Sequence, residues 1–325
     1  MNGACYIQNL KNCPYQIVVR NGVEWVEGKA LKRFPWLIHA FTTRRGSAAR
    51  RPGNFTLALP EGTGAGAAQR NRRLLLGELG CAPADAAWLR QIHSDRIYLV
   101  KREGQELAYL PGGYNAAAYP AAGRLTASCG DALITREPGI LLTLRTADCL
   151  PVLLVDTRRR AVAAVHAGWR GALARIAEKT VGEMQRVFGC TPAHLLALLG
   201  PSIRACCYEV GDEVAEAFCA RFPAGEQFLS RPAEERQPRA FVNAFLDPMP
   251  PGHARPAHSG YHLDLAAAVG WQLASAGLQP QRICNLDLCT ACNTHLFFSH
   301  RKEAALAGRM MAAIGVRGSR LGGSR

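Results

Sequence analysis

The stretch of sequence that decides the fold spans residues 141–170 and reads LLTLRTADCLPVLLVDTRRRAVAAVHAGWR. It contains two apolar runs, residues 150–156 and 161–165, which are separated by the charged tetrapeptide Thr-Arg-Arg-Arg. Short apolar runs joined at hairpin spacing predict two buried strands that pair with each other. Cys149 precedes the first run and His166 follows the second, so the hairpin brings a thiol close to an imidazole.

A thiol and an imidazole on rigid strands suit either a zinc site or a Cys–His nucleophile pair. The chain offers nine His and twelve Cys as possible ligands, and among them His93 lies just before another predicted strand. Together, His93, Cys149 and His166 leave a fourth tetrahedral position for water, which is the arrangement of a catalytic zinc site. A metal there lowers the pKa of water toward about 7. From spacing alone, a core Cys with two histidines at strand ends explains these residues equally well.

Three neighbours of these residues are further candidates. Asp148 could orient a metal ligand or accept a proton, although a hydrogen bond at the end of a strand explains it equally well. Gln91 precedes His93 by two positions, shares a strand face with it and is a candidate for substrate contact. Gly168 permits close backbone approach and exposes N–H groups to an anion, but helix packing also explains it.

The net charge of +14 results from 39 Lys and Arg against 25 Asp and Glu. Such a balance invites a nucleic-acid hypothesis. The arginines are scattered, however, and lack interleaved aromatic residues and any helix-turn-helix or RNA-binding signature. This distribution weakens the nucleic-acid hypothesis, and a positive field also suits a small anionic substrate.

No window has the eighteen or so uninterrupted apolar residues of a membrane helix, and the first residues lack the apolar region of a signal peptide. We therefore expect a cytoplasmic protein with no membrane partner. Cysteines spread over a long chain without an export signal favour reduced thiols, most of them packed in the core.

The periodicity predicts an α+β fold with a mixed sheet core and outer helices. Glycine-rich nucleotide-binding motifs of the dinucleotide and P-loop types do not follow any predicted strand. Strands are predicted at residues 16–20, 38–44, 96–101, 150–156, 161–165, 194–200 and 283–288, and helices at 71–79, 172–188, 210–222, 265–276 and 303–314. Residues 103–124 and 231–260 are expected to be a long loop and a surface excursion.

Four sequence motifs carry a resemblance to a known family, and four further motifs support it. They are TADCLPV at 146–152, HAGWRG at 166–171, GPSI at 200–203 and CYEVG at 207–211, with HAFTTR at 39–44, QIH at 91–93, LDL at 263–265 and FFSHR at 297–301. In these motifs the chain resembles the laccase-domain family of YfiH type, from about residue 38 to about 314. That family has been labelled polyphenol oxidase, purine nucleoside phosphorylase and peptidoglycan editing factor.

The resemblance implies a four-layer αββα sandwich, as in CNF-toxin and YfiH-like proteins, and a zinc ion bound by His93, Cys149 and His166. It also implies phosphorolysis of adenosine, guanosine, inosine and methylthioadenosine, and hydrolytic deamination of adenosine. Phosphorolysis needs negative charge to be neutralised, for which Arg44 and Arg170 are candidates because guanidinium matches phosphate in a bidentate fork. Either arginine could instead form a structural ion pair.

Copper is discounted, because one His₂Cys site lacks the many histidines of a multicopper oxidase. A second zinc site near the C-terminus is also not expected. Cys289, Cys292, His295 and His300 resemble a Cys₂His₂ set, but the gap between Cys292 and His295 is too short, and no second Cys pair accompanies them in the sequence.

The sequence thus leads to three hypotheses and one domain organisation. The first hypothesis is a zinc-dependent purine nucleoside enzyme. The second is a Cys-His amide hydrolase acting on peptidoglycan precursors, with Cys149 as nucleophile and His166 as base. The third is a basic nucleic-acid-binding module. We expect a lead-in over residues 1–35, one catalytic domain over 36–316 and a disordered basic tail over 317–325.

Overall fold

The computed structural model describes residues 15–46, 55–58, 65–113, 129–231 and 260–318. Its helices are α1 (Lys29–Lys32), α2 (Ala65–Leu79), α3 (Trp169–Leu173), α4 (Ile176–Phe188), α5 (Asp212–Arg221), α6 (Leu265–Ser275) and α7 (His300–Glu303). Within the described ranges, no helix combines the length and the apolar character that crossing a bilayer requires.

The same described residues also form sixteen strands. They are β1 (Tyr15–Arg20), β2 (Val23–Gly28), β3 (Leu37–Gly46), β4 (Ala86–Ala87), β5 (Ile97–Glu103), β6 (Glu106–Pro111), β7 (Ala132–Thr135), β8 (Leu141–Thr146), β9 (Leu150–Asp156), β10 (Ala161–Ala167), β11 (Leu195–Leu199), β12 (Glu209–Val210), β13 (Leu229–Ser230), β14 (Tyr261–Leu263), β15 (Ile283–Asn285) and β16 (Met310–Val316). The expected excursion and basic tail lie, over residues 232–259 and 319–325, outside the described residues.

The hairpin of β9 and β10 is present and antiparallel. Its turn is closed by Asp156, whose Oδ1 accepts hydrogen bonds from the backbone N–H groups of Arg158 at 2.8 Å and Arg159 at 2.9 Å. Such bonds from an aspartate to the following backbone are typical of tight turns. All residues of both strands are buried, which explains why each run is apolar except for Asp156 and His166 near its end.

In the described part of the chain, the strands form two large mixed sheets and one small sheet. The seven-stranded sheet has the order β15-β11-β9-β10-β7-β5-β6, the six-stranded sheet β1-β2-β3-β16-β8-β4, and the small sheet β12-β14-β13. Each large sheet combines antiparallel pairs with parallel ones, which are β11 with β15, β5 with β7 and β4 with β8.

The large sheets pack face to face with helices on both outer sides. Leu153 and Val155 of β9 belong to the core between the sheets, whereas Val152 and Leu154 belong to the core beneath α4, α5 and α6. On the far side of the six-stranded sheet, Leu76 of α2 packs into a cluster with residues of β2 and β3. These layers confirm the expected αββα sandwich of the α+β class.

The helix predicted over residues 172–188 is divided into α3 and α4. Arg175 lies between the two helices with a left-handed φ of 62°. Its guanidinium forms an ion pair of 2.6 Å with Glu178 and lies 5.5 Å from the ring centroid of Trp271 on α6. The predicted helical period is therefore present, but the backbone of Arg175 interrupts the helix.

The helix predicted over residues 303–314 is wrong for most of its length. Only its first residue is in α7, and residues 310–316 form the buried strand β16, which pairs with β3 on one side and β8 on the other. The Met and Ala residues of this segment are good helix formers, so local propensity favoured a helix. Pairing between two strands that are distant in sequence overrides that propensity.

Two further strands fall in segments expected to be irregular. β6 lies inside the loop predicted over residues 103–124 and forms a hairpin with β5. In the expected lead-in, β1 matches the predicted strand over residues 16–20, and β2 joins it to β3 as part of the six-stranded sheet.

Candidate metal centre

His93, Cys149 and His166 lie together at one end of the central hairpin. His166 is on β10 opposite Pro151, and Cys149 directly precedes β9, so hairpin register brings these two side chains close. His93 approaches from the loop between β4 and β5. The donor atoms of the three side chains all lie within 4.8 Å of one another. His93 is exposed, Cys149 half-buried and His166 buried, so the group faces solvent on one side.

The backbone around His93 is held by the buried carboxylate of Asp131. Its Oδ1 accepts a hydrogen bond of 3.0 Å from the N–H of His93, and its Oδ2 accepts bonds from the N–H and hydroxyl groups of Ser94 at 2.6 and 2.7 Å. His93 has a left-handed φ of 59°, a conformation that non-glycine residues adopt only when their surroundings enforce it. Asp131 supplies the acceptors that hold this turn.

Asp131 also orients His166. The Nδ1 atom of His166 lies 2.9 Å from Oδ1 of Asp131, and the N–H of His166 donates to the carbonyl oxygen of Asp131 at 2.7 Å. A carboxylate bonded to one ring nitrogen fixes the ring and leaves the other nitrogen for a metal. One buried residue thus positions two of the three candidate ligands.

Sequence reasoning missed Asp131. The available signal was weak: an acidic residue directly before the apolar strand β7, in the word Gly130-Asp131-Ala132. The pairing of β7 with β10, which brings Asp131 to His166, is the decisive fact, and it involves strands about 30 residues apart. No local pattern indicates that pairing.

The three groups shift one another's protonation. Burial alone would raise the pKa of Cys149, but the charge and hydrogen bond of His166, followed by those of His93, lower it to about 6. Burial would lower the pKa of His166, whereas the charge of Cys149 and the bond to Asp131 raise it to about 9. Burial also opposes ionisation of Asp131, yet the hydrogen bond from His166 holds its pKa below the ordinary value. These directions describe a thiolate beside an imidazolium and a carboxylate when no metal is bound.

The spacing of the donor atoms fits zinc. Bonds of about 2.0 Å to nitrogen and about 2.3 Å to sulfur, at a tetrahedral angle, separate the two donors by about 3.6 Å. The Nε2 atom of His93 lies 3.7 Å from the Sγ atom of Cys149. The two imidazole rings meet at a T-shaped angle of 67°, with centroids 5.1 Å apart. His93, Cys149 and His166 can therefore share one ion with little movement.

Gly168 is in contact with two of these ligands. A Cβ atom at this position would lie 2.9 Å from Cδ2 of His93 and 3.2 Å from Sγ of Cys149. The first distance is shorter than side chains tolerate, so only glycine leaves both ligands undisturbed. Gly168 thus permits the close approach predicted from the sequence, and the backbone approaches the candidate ligands themselves.

The carboxylate of Asp148 is directed to the C-terminal segment. Its oxygens accept hydrogen bonds from the hydroxyl of Thr290 at 2.6 Å, the hydroxyl of Ser299 at 3.1 Å and the N–H of Arg301 at 2.7 Å. The backbone of Asp148 is left-handed, with φ of 85°. The residue fixes the turn that presents Cys149, which corresponds to the hydrogen-bonding alternative for this position.

Gln91 and Arg44 take part in structural contacts. The amide of Gln91 pairs with the backbone of Arg145, donating to its carbonyl and accepting from its N–H, each at 2.8 Å. The guanidinium of Arg44 forms an ion pair of 2.9 Å with Glu303 and lies 4.4 Å from the ring centroid of Phe298. Both side chains link strands or loops of the scaffold.

Arg170 and Arg301 each lie over an aromatic ring. Arg170 is exposed and stacks on Trp169 at 4.3 Å, and Arg301 lies 5.3 Å from the ring centroid of Tyr208. Burial, then the charge of Cys149, raises the pKa of Tyr208, and both arginines oppose that shift. The charges of Arg170 and Arg301 thus both act on Tyr208. Arg170 is a candidate residue predicted from the sequence, whereas Arg301 is not.

Comparisons with known proteins agree with the fold and with the family resemblance. Residues 38–317 match the model of the family described as multi-copper polyphenol oxidoreductase laccase. A purine nucleoside phosphorylase of Deinococcus radiodurans is 33% identical over 292 residues, covering 89% of this chain and 94% of that protein. An adenosine deaminase, RL5, from an unknown prokaryotic organism is 33% identical, covering 85% of this chain and 93% of that protein. The crystal structure of the Bacillus licheniformis hypothetical protein YfiH superposes with a TM-score of 0.73 at 26% identity, covering 94% of this chain and 100% of that one.

The first prediction concerns the ionisation of Cys149 in metal-free protein. Because its pKa is lowered to about 6, Cys149 is protonated and unreactive below that pH and a nucleophilic thiolate above it. Alkylation by iodoacetamide, followed by mass spectrometry of the peptide, should rise with a midpoint near pH 6. In His166→Ala the imidazolium is lost and the midpoint should move upward. Equal midpoints in the two proteins would contradict this electrostatic account.

The second prediction concerns Asp131. Replacing its carboxylate by an amide in Asp131→Asn removes the charge that orients His166 and places N–H groups against the donors of Ser94. Loss of such an outer-shell partner typically lowers metal affinity 10- to 100-fold. Affinity is measured as the free zinc concentration that protects Cys149 from iodoacetamide. Asp212→Asn, an exposed carboxylate on α5, is the matched control and should protect like the parent chain.

Proposed function

The chain belongs to the multi-copper polyphenol oxidoreductase laccase family, and on that premise we propose that it is a zinc-dependent enzyme of purine nucleosides. Its reactions are phosphorolysis of adenosine, guanosine, inosine and methylthioadenosine, and hydrolytic deamination of adenosine. The observation that carries the proposal is the His₂Cys group, with its donor atoms within 4.8 Å of one another and one side facing solvent. The names of two relatives, a purine nucleoside phosphorylase and an adenosine deaminase, supply the substrate class.

Zinc is proposed in preference to copper, despite the family's description. A multicopper oxidase needs several copper ions with many imidazole ligands. Among the described residues, the one other group of potential ligands consists of four cysteines and contains no histidine. Phosphorolysis and deamination change no oxidation state, so they are served by a redox-inert Lewis acid. When bound, a zinc ion would supply that Lewis acidity and lower the pKa of water toward about 7.

The residues around the site each have a proposed role. His93, Cys149 and His166 hold the ion, and the thiolate of Cys149 offsets part of its charge. Asp131 keeps the Nδ1 proton of His166 in a hydrogen bond, so that Nε2 remains a ligand. Asp148 holds the turn before β9 and is proposed as a positioning residue for Cys149.

Phosphate is assigned to Arg170. In the part of the chain that the structure describes, Arg170 has no ion-pair partner, whereas Arg44 is paired with Glu303. An exposed guanidinium stacked on an indole is held in place while its N–H groups stay available to a phosphate. Arg44 and Gln91 are therefore proposed as scaffold residues, and the nucleoside is expected to bind on the solvent side of the ligand group.

A Cys-His hydrolase is a second candidate, and one observation favours it. Cys149, His166 and Asp131 form the thiol, imidazole and carboxylate series of a nucleophilic triad, and the pKa of Cys149 is lowered to about 6. Such a triad needs only one imidazole at the sulfur, however. The second imidazole, His93, also lies 3.7 Å from this sulfur, a position that a metal site requires and a nucleophilic triad does not. The donor set therefore favours zinc.

The third prediction tests the reaction itself. Zinc-loaded protein is incubated with adenosine, guanosine, inosine and methylthioadenosine, with and without inorganic phosphate, and products are resolved by chromatography. Free purine base should form only with phosphate, and inosine should form from adenosine without it. Cys149→Ala and His166→Ala should each lose more than about 100-fold of both activities, since even outer-shell changes cost 10- to 100-fold. The exposed Cys219 lies outside the ligand group, so Cys219→Ala is the control. Unchanged turnover in both ligand variants would refute the proposed site.

The fourth prediction separates phosphate binding from the common site. A hydrogen-bonded charge contributes about 1.5–3 kcal/mol, which corresponds to about 10- to 100-fold in affinity. Arg170→Met should therefore raise the KM for phosphate by that factor and leave phosphate-independent deamination unchanged. Arg158→Met, an exposed arginine of the β9–β10 turn, is the matched control. An equal loss of both activities in Arg170→Met would exclude a phosphate-specific role.

A further inference from the structure

A second cluster of cysteines lies where two loops meet. Cys206 and Cys207 follow β11, and Cys289 and Cys292 follow β15. Because β11 and β15 are parallel neighbours, the loops that leave their C-terminal ends emerge at the same edge of the sheet. The four sulfur atoms all lie within 4.8 Å of one another.

The four sulfurs are spaced as ligands of one ion. At a tetrahedral centre with Zn–S bonds of about 2.3 Å, sulfurs are about 3.8 Å apart. The Sγ atom of Cys292 lies 3.5 Å from that of Cys206 and 3.4 Å from that of Cys207. These distances are far above the length of a disulfide, and all four thiols are free.

The backbone supports the same conclusion. Cys289-Thr-Ala-Cys292 has the two-residue spacing of zinc-binding Cys pairs. The two loops are joined by a backbone bond of 3.0 Å from Thr290 to Ser202. The ligand positions are therefore fixed by the fold.

We propose that Cys206, Cys207, Cys289 and Cys292 bind a second metal ion, a zinc with four thiolate ligands. Four protein ligands leave no position for water or substrate, so this ion is structural, in contrast to the three-ligand group around Cys149. It goes beyond the nucleoside chemistry and does not depend on it.

The proposed ion would stabilise the turn that carries Cys149. Thr290, next to Cys289, donates to the carboxylate of Asp148 at 2.6 Å, and the N–H of Ile203 donates to the carbonyl of Asp148 at 2.9 Å. Both loops of the cysteine cluster thus hold the residue before Cys149. Locking the two loops together fixes Asp148 from both sides.

In the sequence, Cys289 and Cys292 resemble a set with His295 and His300, and the lack of a nearby second Cys pair argues against zinc. The second pair is Cys206-Cys207, which precedes Cys289 by about 80 residues. Only the parallel pairing of β11 with β15 brings the two pairs together.

The fifth prediction is a metal count on intact, reduced protein. The parent chain should carry about two zinc ions. The double variant His93→Ala/Cys149→Ala should carry about one, and so should the double variant Cys206→Ser/Cys292→Ser. Cys206 and Cys292 are exposed, so serine is accommodated at both positions. Cys219 is also exposed, so Cys219→Ser is the matched control and should carry about two zinc ions. Zinc content of Cys206→Ser/Cys292→Ser equal to that of the parent would overturn the proposal. A zinc-free cluster containing a disulfide, in protein purified with reductant, would do so as well.

Cobalt provides a readout that is independent of activity. Co²⁺ added to the metal-free double variant His93→Ala/Cys149→Ala should give the strong thiolate-to-cobalt absorption of a four-sulfur site. Introducing Cys206→Ser and Cys292→Ser into the same chain should abolish this absorption. Zinc should also raise the melting temperature in the first protein and not in the second. If the parent chain binds no ion near Cys149 but the variant still shows the cobalt absorption, the proposed function fails and the structural site stands.

Discussion

The interaction on which the candidate site depends is the burial of the Asp131 carboxylate. A carboxylate removed from water is strongly destabilising unless it is paired and hydrogen-bonded. Asp131 is fully buried and meets this requirement through the N–H groups of His93 and Ser94, the hydroxyl of Ser94 and the ring of His166. Every one of these donors belongs to a candidate ligand or to its neighbour in sequence. The hydrogen bonds that stabilise the buried carboxylate of Asp131 therefore also position the candidate ligands.

The sandwich provides the rigid support for both candidate metal sites. The strands β9 and β10 are buried on both faces, so Cys149 and His166 are placed by a scaffold that cannot shift without loss of core packing. The same sheet carries β11 and β15, whose parallel ends position the four-cysteine cluster. Asp148 connects the two sites, since it precedes Cys149 and is bonded to both loops of the cluster. We infer that a structural ion would stabilise the geometry of the reactive one.

The two clusters differ in the number of ligands that they could offer a metal ion, and ligand number separates catalytic from structural zinc sites. Three ligands of mixed nitrogen and sulfur type, with an exposed side, leave room for a reacting molecule, whereas four sulfurs close the coordination sphere. The family's description emphasises copper oxidation, but its matched relatives bear the names of group-transfer and hydrolytic enzymes. A single imidazole-rich group among the described residues is consistent with those names.

The sequence by itself determined the central hairpin and helices α4 to α6, whereas its resemblance to a known family implied the layer architecture and the choice of His93, Cys149 and His166 as candidate ligands. Apolar periodicity reports which face of an element is buried, and a hairpin connects neighbours, so local pattern suffices for the hairpin and the helices. Tertiary structure alone decided that residues 310–316 are a strand, that Asp131 reaches His166 and that Cys206-Cys207 meets Cys289 and Cys292. Each of these depends on pairing between strands far apart in the chain, which leaves no periodic signal in the sequence.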